Sequence, residues 1–310
     1  MRKELLIFIL ILTFKFSSGQ QFTDLYGDYL GQTPPGDTPA VFLPGIISTS
    51  NLEHSAAIFS SDGDEVYWSS MEFPISQNKA KLLRMSRINN RWTRPEILIP
   101  FGDKVICGNP FLSIDDKRLY FDAESDTTSK NVDIWFIEKQ DNGWSKPQNL
   151  SPVINTAEIQ AQASLNSEGT VYYLNAKGNN GPFFILRSKY KNGNYLQPDS
   201  LPESINSPSM DWTPYIARDD SYLIFSSTRG GGYGSGDLYI SYHDFDDDTW
   251  TEPVNMGGLI NSGTMERLPY VSPDGMYLFF TRWTEENDQD VFWVSAKIID
   301  RLKGKSNTRK

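Results

Sequence analysis

The sequence predicts an all-β fold, a β-propeller of about five four-stranded blades closed by its own N-terminal strand. Three observations point that way. A turn signal recurs at intervals of 53, 53, 51 and 55 residues, each signal precedes a short apolar-aromatic run, and the units end in an aromatic three residues before a proline. A degenerate sixth blade within residues 20 to 50 is the alternative count.

The turns are Asp62-Gly63, Asp115-Asp116, Glu168-Gly169, Asp219-Asp220 and Asp274-Gly275. A two-residue hairpin needs positive φ at its centre, which Gly accepts freely and Asp better than most residues. The strands that follow are Val66-Tyr67-Trp68, Leu119-Tyr120-Phe121, Val171-Tyr172-Tyr173, Leu223-Ile224-Phe225 and Leu278-Phe279-Phe280. Runs this short and apolar suit strands buried between stacked sheets. A third strand recurs around Met85, Ile134, Leu186, Tyr239 and Phe292. The outermost strand carries Trp92 and Pro95, Trp144 and Pro147, Tyr195 and Pro198, or Trp250 and Pro253. Proline lacks a ladder N–H, so it belongs on such an edge.

No outer strand follows Ser295, where only a basic tail, residues 301 to 310, remains. The segment Thr38 to Leu43 matches the outer strands of other units, and Pro39 lies one repeat before Pro95. The N-terminal strand is therefore expected to complete the last blade and remove the open edge. Residues 20 to 300 then form one domain.

Residues 1 to 19 read as a secretory signal, with Arg2 and Lys3 before an apolar run and small residues at Ser17-Ser18-Gly19. Ten apolar residues are about half of a membrane span. A periplasmic or secreted location is expected, with no membrane span after cleavage. A single cysteine, Cys107, forms no internal disulfide. The net charge of -10 argues against nucleic acid, which needs clustered Lys and Arg.

Together, Asp211 to Ser241 and Glu266 to Phe280 resemble the WD40-like repeat of TolB-type propellers: a polar residue, Pro, a Ser-x-Asp-Gly turn, an aromatic strand and a later Asp-Ile-Tyr strand. The resemblance covers almost the whole mature chain and implies the fold. It is a poor guide to function, because such repeats occur in binding modules, envelope proteins and non-catalytic propellers of peptidases.

Three residues before the Pro269 register stand His54, Cys107, Gln160, Asp211 and Glu266, a position expected to ring the mouth of the central channel. His54 with Asp211 and Glu266 can bind a metal, move a proton or hold a polar ligand. Trp212 and Arg267, next along, can stack on a ligand and bind an anion. Equally, these polar groups can cap backbone, and Trp212 can be packing. The glycine-rich loop 230 to 236 runs into a strand and not a helix, which argues for a hairpin over a phosphate cradle. Asp244, Asp246 and Asp248 alternate as in a calcium loop but lack its glycine and glutamate, which argues for an extended turn. No Gly-x-Ser-x-Gly elbow is present.

The leading expectation is a monomeric, non-catalytic binding or interaction module with a protein, peptide or glycan at the channel mouth, without a cofactor. The alternative is a carbohydrate-active enzyme, a lyase or glycosidase using the mouth histidine and carboxylates, with a divalent metal at the mouth as the alternative cofactor.

Overall fold

A computed structural model describes residues 24–72, 80–98, 100–101, 107–124, 131–141, 143–177, 181–285 and 288–306. The expected signal segment lies outside the described residues. Among them the chain is nearly all-β, with one 3-10 turn, Asp28–Gly31, and one α-helix, Lys297–Ser306. No helix among the described residues is long and apolar enough to cross a membrane.

The strands follow the repeat as antiparallel meanders. In the fourth unit, Asp211–Ile216, Tyr222–Ser227 and Asp237–Asp244 pair in order, and Thr249–Trp250 and Val254–Asn255 form a split outer strand. Pro253 stands in the split between these two pieces, so no ladder bond is lost to it. Residues 63, 116, 169, 220 and 275 all have positive φ, between 55° and 79°, as the turn spacing predicts. A serine or asparagine clamps most of these turns: Ser60, Ser113, Asn166 and Ser272 each accept the N–H of the residue that restarts the ladder.

The fifth unit is built from both chain ends. Its outer strand is Ala40–Val41, paired antiparallel to Asp288–Ser295 through Ala40 opposite Trp293 and Val41 opposite Phe292. Ser48 then exchanges two bonds with the Val291 backbone, as Asn261 does with Leu238 and Asn206 with Ile185. The N-terminal segment thus reproduces the exit of an outer strand, helped by Phe42, which is fully buried and meets Trp293 edge-on at 5.0 Å. Leu52–Glu53 of the first unit runs parallel to Asp288–Ser295, so the first and fifth units share one ten-stranded sheet.

The expected basic tail is different in the structure. Residues Lys297 to Ser306 form a helix whose Ile299 and Leu302 are buried, while Tyr242 donates its hydroxyl proton to the Ile299 carbonyl at 2.6 Å. Reading the basic residues 301 to 310 as a tail missed the apolar spacing of Ile299 and Leu302, one helical turn apart.

Candidate functional site

In four units the innermost strand opens on a buried polar side chain, with the buried Cys107 at that place in the second, and the structure corrects which residue holds it in the first unit. Glu53 lies opposite Ser70, as Gln160 does Asn175, Asp211 does Ser227 and Glu266 does Arg282. Counting back from the apolar strand selects His54 instead. The first unit carries one extra residue between Glu53 and Ile58, which shifts the register by one.

These side chains turn into the loop that precedes them. Ser207 donates its N–H and hydroxyl to Asp211 at 2.8 and 2.7 Å, and Ser262 does the same for Glu266 at 3.0 and 2.6 Å. Gln160 is bonded to Thr156, four residues back, through both ends of its amide. Arg229 then pairs with Asp211, and Arg282 with Glu266, both at 2.8 Å. Asp211 and Glu266 are therefore loop staples with 0% exposure, and among the described residues they form no cluster of possible metal ligands with His54. Among the described residues the acidic group that converges is Glu53, Asp288 and Asp290.

One position further on stand His54, Gly108, Ala161, Trp212 and Arg267, and after the last four the strand bulges. Asn109, Gln162, Thr213 and Leu268 sit at the bulges with φ between 47° and 58°. A β-branched residue such as Thr213 rarely adopts this conformation, and such strain collects at functional sites. With Ser55, these bulge residues line a narrow central cavity of about 40 Å³, to which all five innermost strands contribute. That volume admits water and no sugar.

Asp122 holds the bulges in place. It accepts the Asn109 amide at 2.6 Å and the Gln162 N–H at 2.9 and 3.0 Å. Burial, partly offset by these bonds, pushes its carboxyl up to about 7. Sequence reasoning missed it, since it lies on a second strand where the other units carry Ser69, Leu174, Ser226 and Thr281.

Arg267 is partly buried and donates through Nε and Nη2 to Gln289 Oε1 at 3.1 and 2.7 Å. No carboxylate among the described residues pairs with it, in contrast to Arg229 and Arg282. Desolvation lowers its pKa to about 10. His54 is its neighbour: burial, then the Arg267 charge, lowers His54 to about 3, and its Nδ1 has no hydrogen-bond partner among the described residues. Gly108 is what makes room, because a β-carbon there would come within 3.2 Å of that Nδ1. Trp212, by contrast, is 7% exposed and packed with Leu174 and Ala176. The glycine-rich loop 230 to 236 wraps a carboxylate of its own, with Tyr233 and Gly234 donating to Asp237.

No family model matches the chain, and no curated protein matches it. Solved structures do. An endo-arabinase from Bacteroides thetaiotaomicron is similar with a TM-score of 0.54 and 13% identity, over 81% of this chain and 96% of that one. A GH43 glycoside hydrolase with endo-xylanase and exo-arabinofuranosidase activity follows at 0.50 and 12%, over 83% and 51%. An oligogalacturonate lyase in complex with manganese reaches 0.44 and 12%, over 80% and 66%. The chain thus spans less than two thirds of the length of the last two. The fold is that of the β-propeller-like enzymes. The leading expectation of a non-catalytic binding module is corrected by the first two of these, similar at 0.54 and 0.50, which are both glycoside hydrolases.

Proposed function

We propose that the chain is a carbohydrate-active enzyme that cleaves an acidic, uronate-bearing glycan by elimination at the channel mouth. The observation that carries the reading is Arg267, a partly buried cation with no carboxylate partner among the described residues, beside a neutral histidine. A sugar carboxylate supplies the missing charge. Its arrival offsets the Arg267 field, one of the two causes that hold His54 down, so the base strengthens as substrate binds.

His54 then takes the proton from the carbon next to the carboxylate, where Arg267 stabilises the developing charge. The electron pair forms a carbon–carbon double bond, the glycosidic carbon–oxygen bond breaks, and the leaving oxygen takes up the proton from His54. Hydrolysis needs two available carboxyl groups flanking the bond. Asp211 and Glu266 are occupied by their arginines, and Asp122 is engaged by the bulges, which favours elimination. The two similar structures at 0.50 or above act on carbohydrate, which supports the carbohydrate-active part of the reading; the choice of elimination rests on Arg267 and His54.

The same proposal treats the five units as blades of one ring of WD40-like, TolB-type repeats, closed by the N-terminal strand. The shared cavity and the Ala40–Val41 pairing support it. It also takes the chain as an exported monomer.

The test is incubation with polygalacturonate, alginate and glucuronan, following the ultraviolet absorbance of the unsaturated uronide. His54→Ala is expected to lower kcat by roughly 10²- to 10⁴-fold, and Arg267→Met to raise KM strongly, with melting temperatures little changed. Product release from arabinan without any unsaturated uronide would overturn the reading, as would unsaturated product that neither substitution affects.

A further inference from the structure

The seam between the first and fifth units holds three carboxyl groups that the fold answers differently from their counterparts. We infer that Glu53, Asp288 and Asp290 form a calcium site that fastens the first unit to the fifth. The inference does not rest on the glycan reading.

The backbone brings them together. Leu52 lies opposite Gln289 in the parallel pair, and the Gln289 side-chain amide donates to the Glu53 carbonyl at 2.6 Å. Side chains alternate along a strand, so Asp288 and Asp290 fall on the face opposite Gln289. One oxygen from each of the three carboxyls lies within 4.8 Å of the others.

Comparison between units shows what is different here. Asp211 and Glu266, at the position of Glu53, each meet an arginine, Arg229 two residues beyond the end of the second strand and Arg282 on it. Ser70 stands where Arg282 would be and Glu72 where Arg229 would be, and the Ser70 hydroxyl is 3.5 Å from Glu53 Oε1. Asp237, at the position of Asp290, receives Tyr233 N–H, Gly234 N–H and the Asn255 amide. Val41 stands where Asn255 would be. At this seam both usual partners are replaced, and a further acid is added.

Glu53 is fully buried, and its Oε2 has no hydrogen-bond partner among the described residues; Thr49 donates only to Oε1, at 2.8 Å. A buried carboxylate oxygen without a partner is costly, and a cation removes the cost. Burial, with the charges of Asp290 and Asp288 and against the lowering effect of the Thr49 hydrogen bonds, pushes Glu53 up to about 9. Asp290 is raised to about 6 by burial and by Asp288. The donors are hard oxygens, and Ca²⁺–oxygen distances of about 2.3–2.6 Å place opposite ligands roughly 5 Å apart, the scale of this cluster.

The experiment uses the whole chain, stripped with chelator and titrated with CaCl₂ by calorimetry and by thermal melting. One Ca²⁺ per chain is expected, with a rise in Tm of roughly 5 °C at a hundredfold excess over Kd. Asp288→Asn with Asp290→Asn should abolish that rise while raising the melting temperature of the stripped protein, because repulsion is relieved. Absence of calcium binding to the folded wild type would overturn the inference. So would a calcium response that survives the double substitution. Should Glu53→Gln fail to fold, the wild-type stoichiometry and the double variant still decide.

Discussion

At the scale of single residues, the polar side chains at the strand starts divide into staples and mouth groups. Asp211→Asn leaves the largely buried Arg229 cation, 18% exposed, without its counter-charge, and Glu266→Gln does the same to Arg282, 17% exposed. Each substitution is expected to cost about 3–5 kcal/mol in denaturant melts, while activity per folded molecule is unchanged. Asp122 gives a pH-dependent prediction. Its folded pKa of about 7 lies above the unfolded value near 3.9, so the folded chain holds an extra proton between them. Its stabilising effect is complete below about pH 4 and is lost as pH rises through about 7. His54, lowered in the fold, acts in the opposite sense below about pH 6.5. The comparison must therefore be wild type against Asp122→Asn: their stability difference should fall by at most about 1.4 kcal/mol per pH unit over that range, then level off. A flat difference would refute the raised carboxyl. His54 and Arg267 were legible from the register count, but their pairing was not, because one extra residue in the first bulge hides that they share a position.

At the scale of elements, the hairpins were the most legible feature, since positive φ leaves Gly or Asp at a fixed place in every unit. The split outer strands were legible through their prolines for the same kind of reason. The C-terminal helix was not, because ten residues rich in Lys and Arg carry little apolar signal. The N-terminal strand was found only by comparing it with other units. Its hold on the fifth unit makes Phe42→Ala a direct test: loss of a ring packed against Trp293 and Phe279 should cost about 3–5 kcal/mol. A variant that melts like the parent would show that the strand contributes little.

At the scale of the whole molecule, the first and fifth units share a sheet, and one apolar cluster runs through Phe42, Trp68, Phe121, Ile240 and Trp293. Unfolding should therefore be a single transition, with calorimetric and van't Hoff enthalpies in agreement. Deletion of residues 24 to 48 should instead give an aggregating product, because it exposes the edge of Asp288–Ser295. A soluble deletion variant with the same melt would defeat the seam argument. The function was the least legible level, since repeats of this kind specify packing and say little about chemistry.

Ser48 and Val291 are 243 residues apart, yet they exchange two hydrogen bonds. On a ribosome adding about 5–20 residues per second, the first-made strand waits roughly 12 to 50 seconds for its partner to be synthesised. During that interval its apolar residues are open to chaperones and to other nascent chains, and translation speed becomes a determinant of yield.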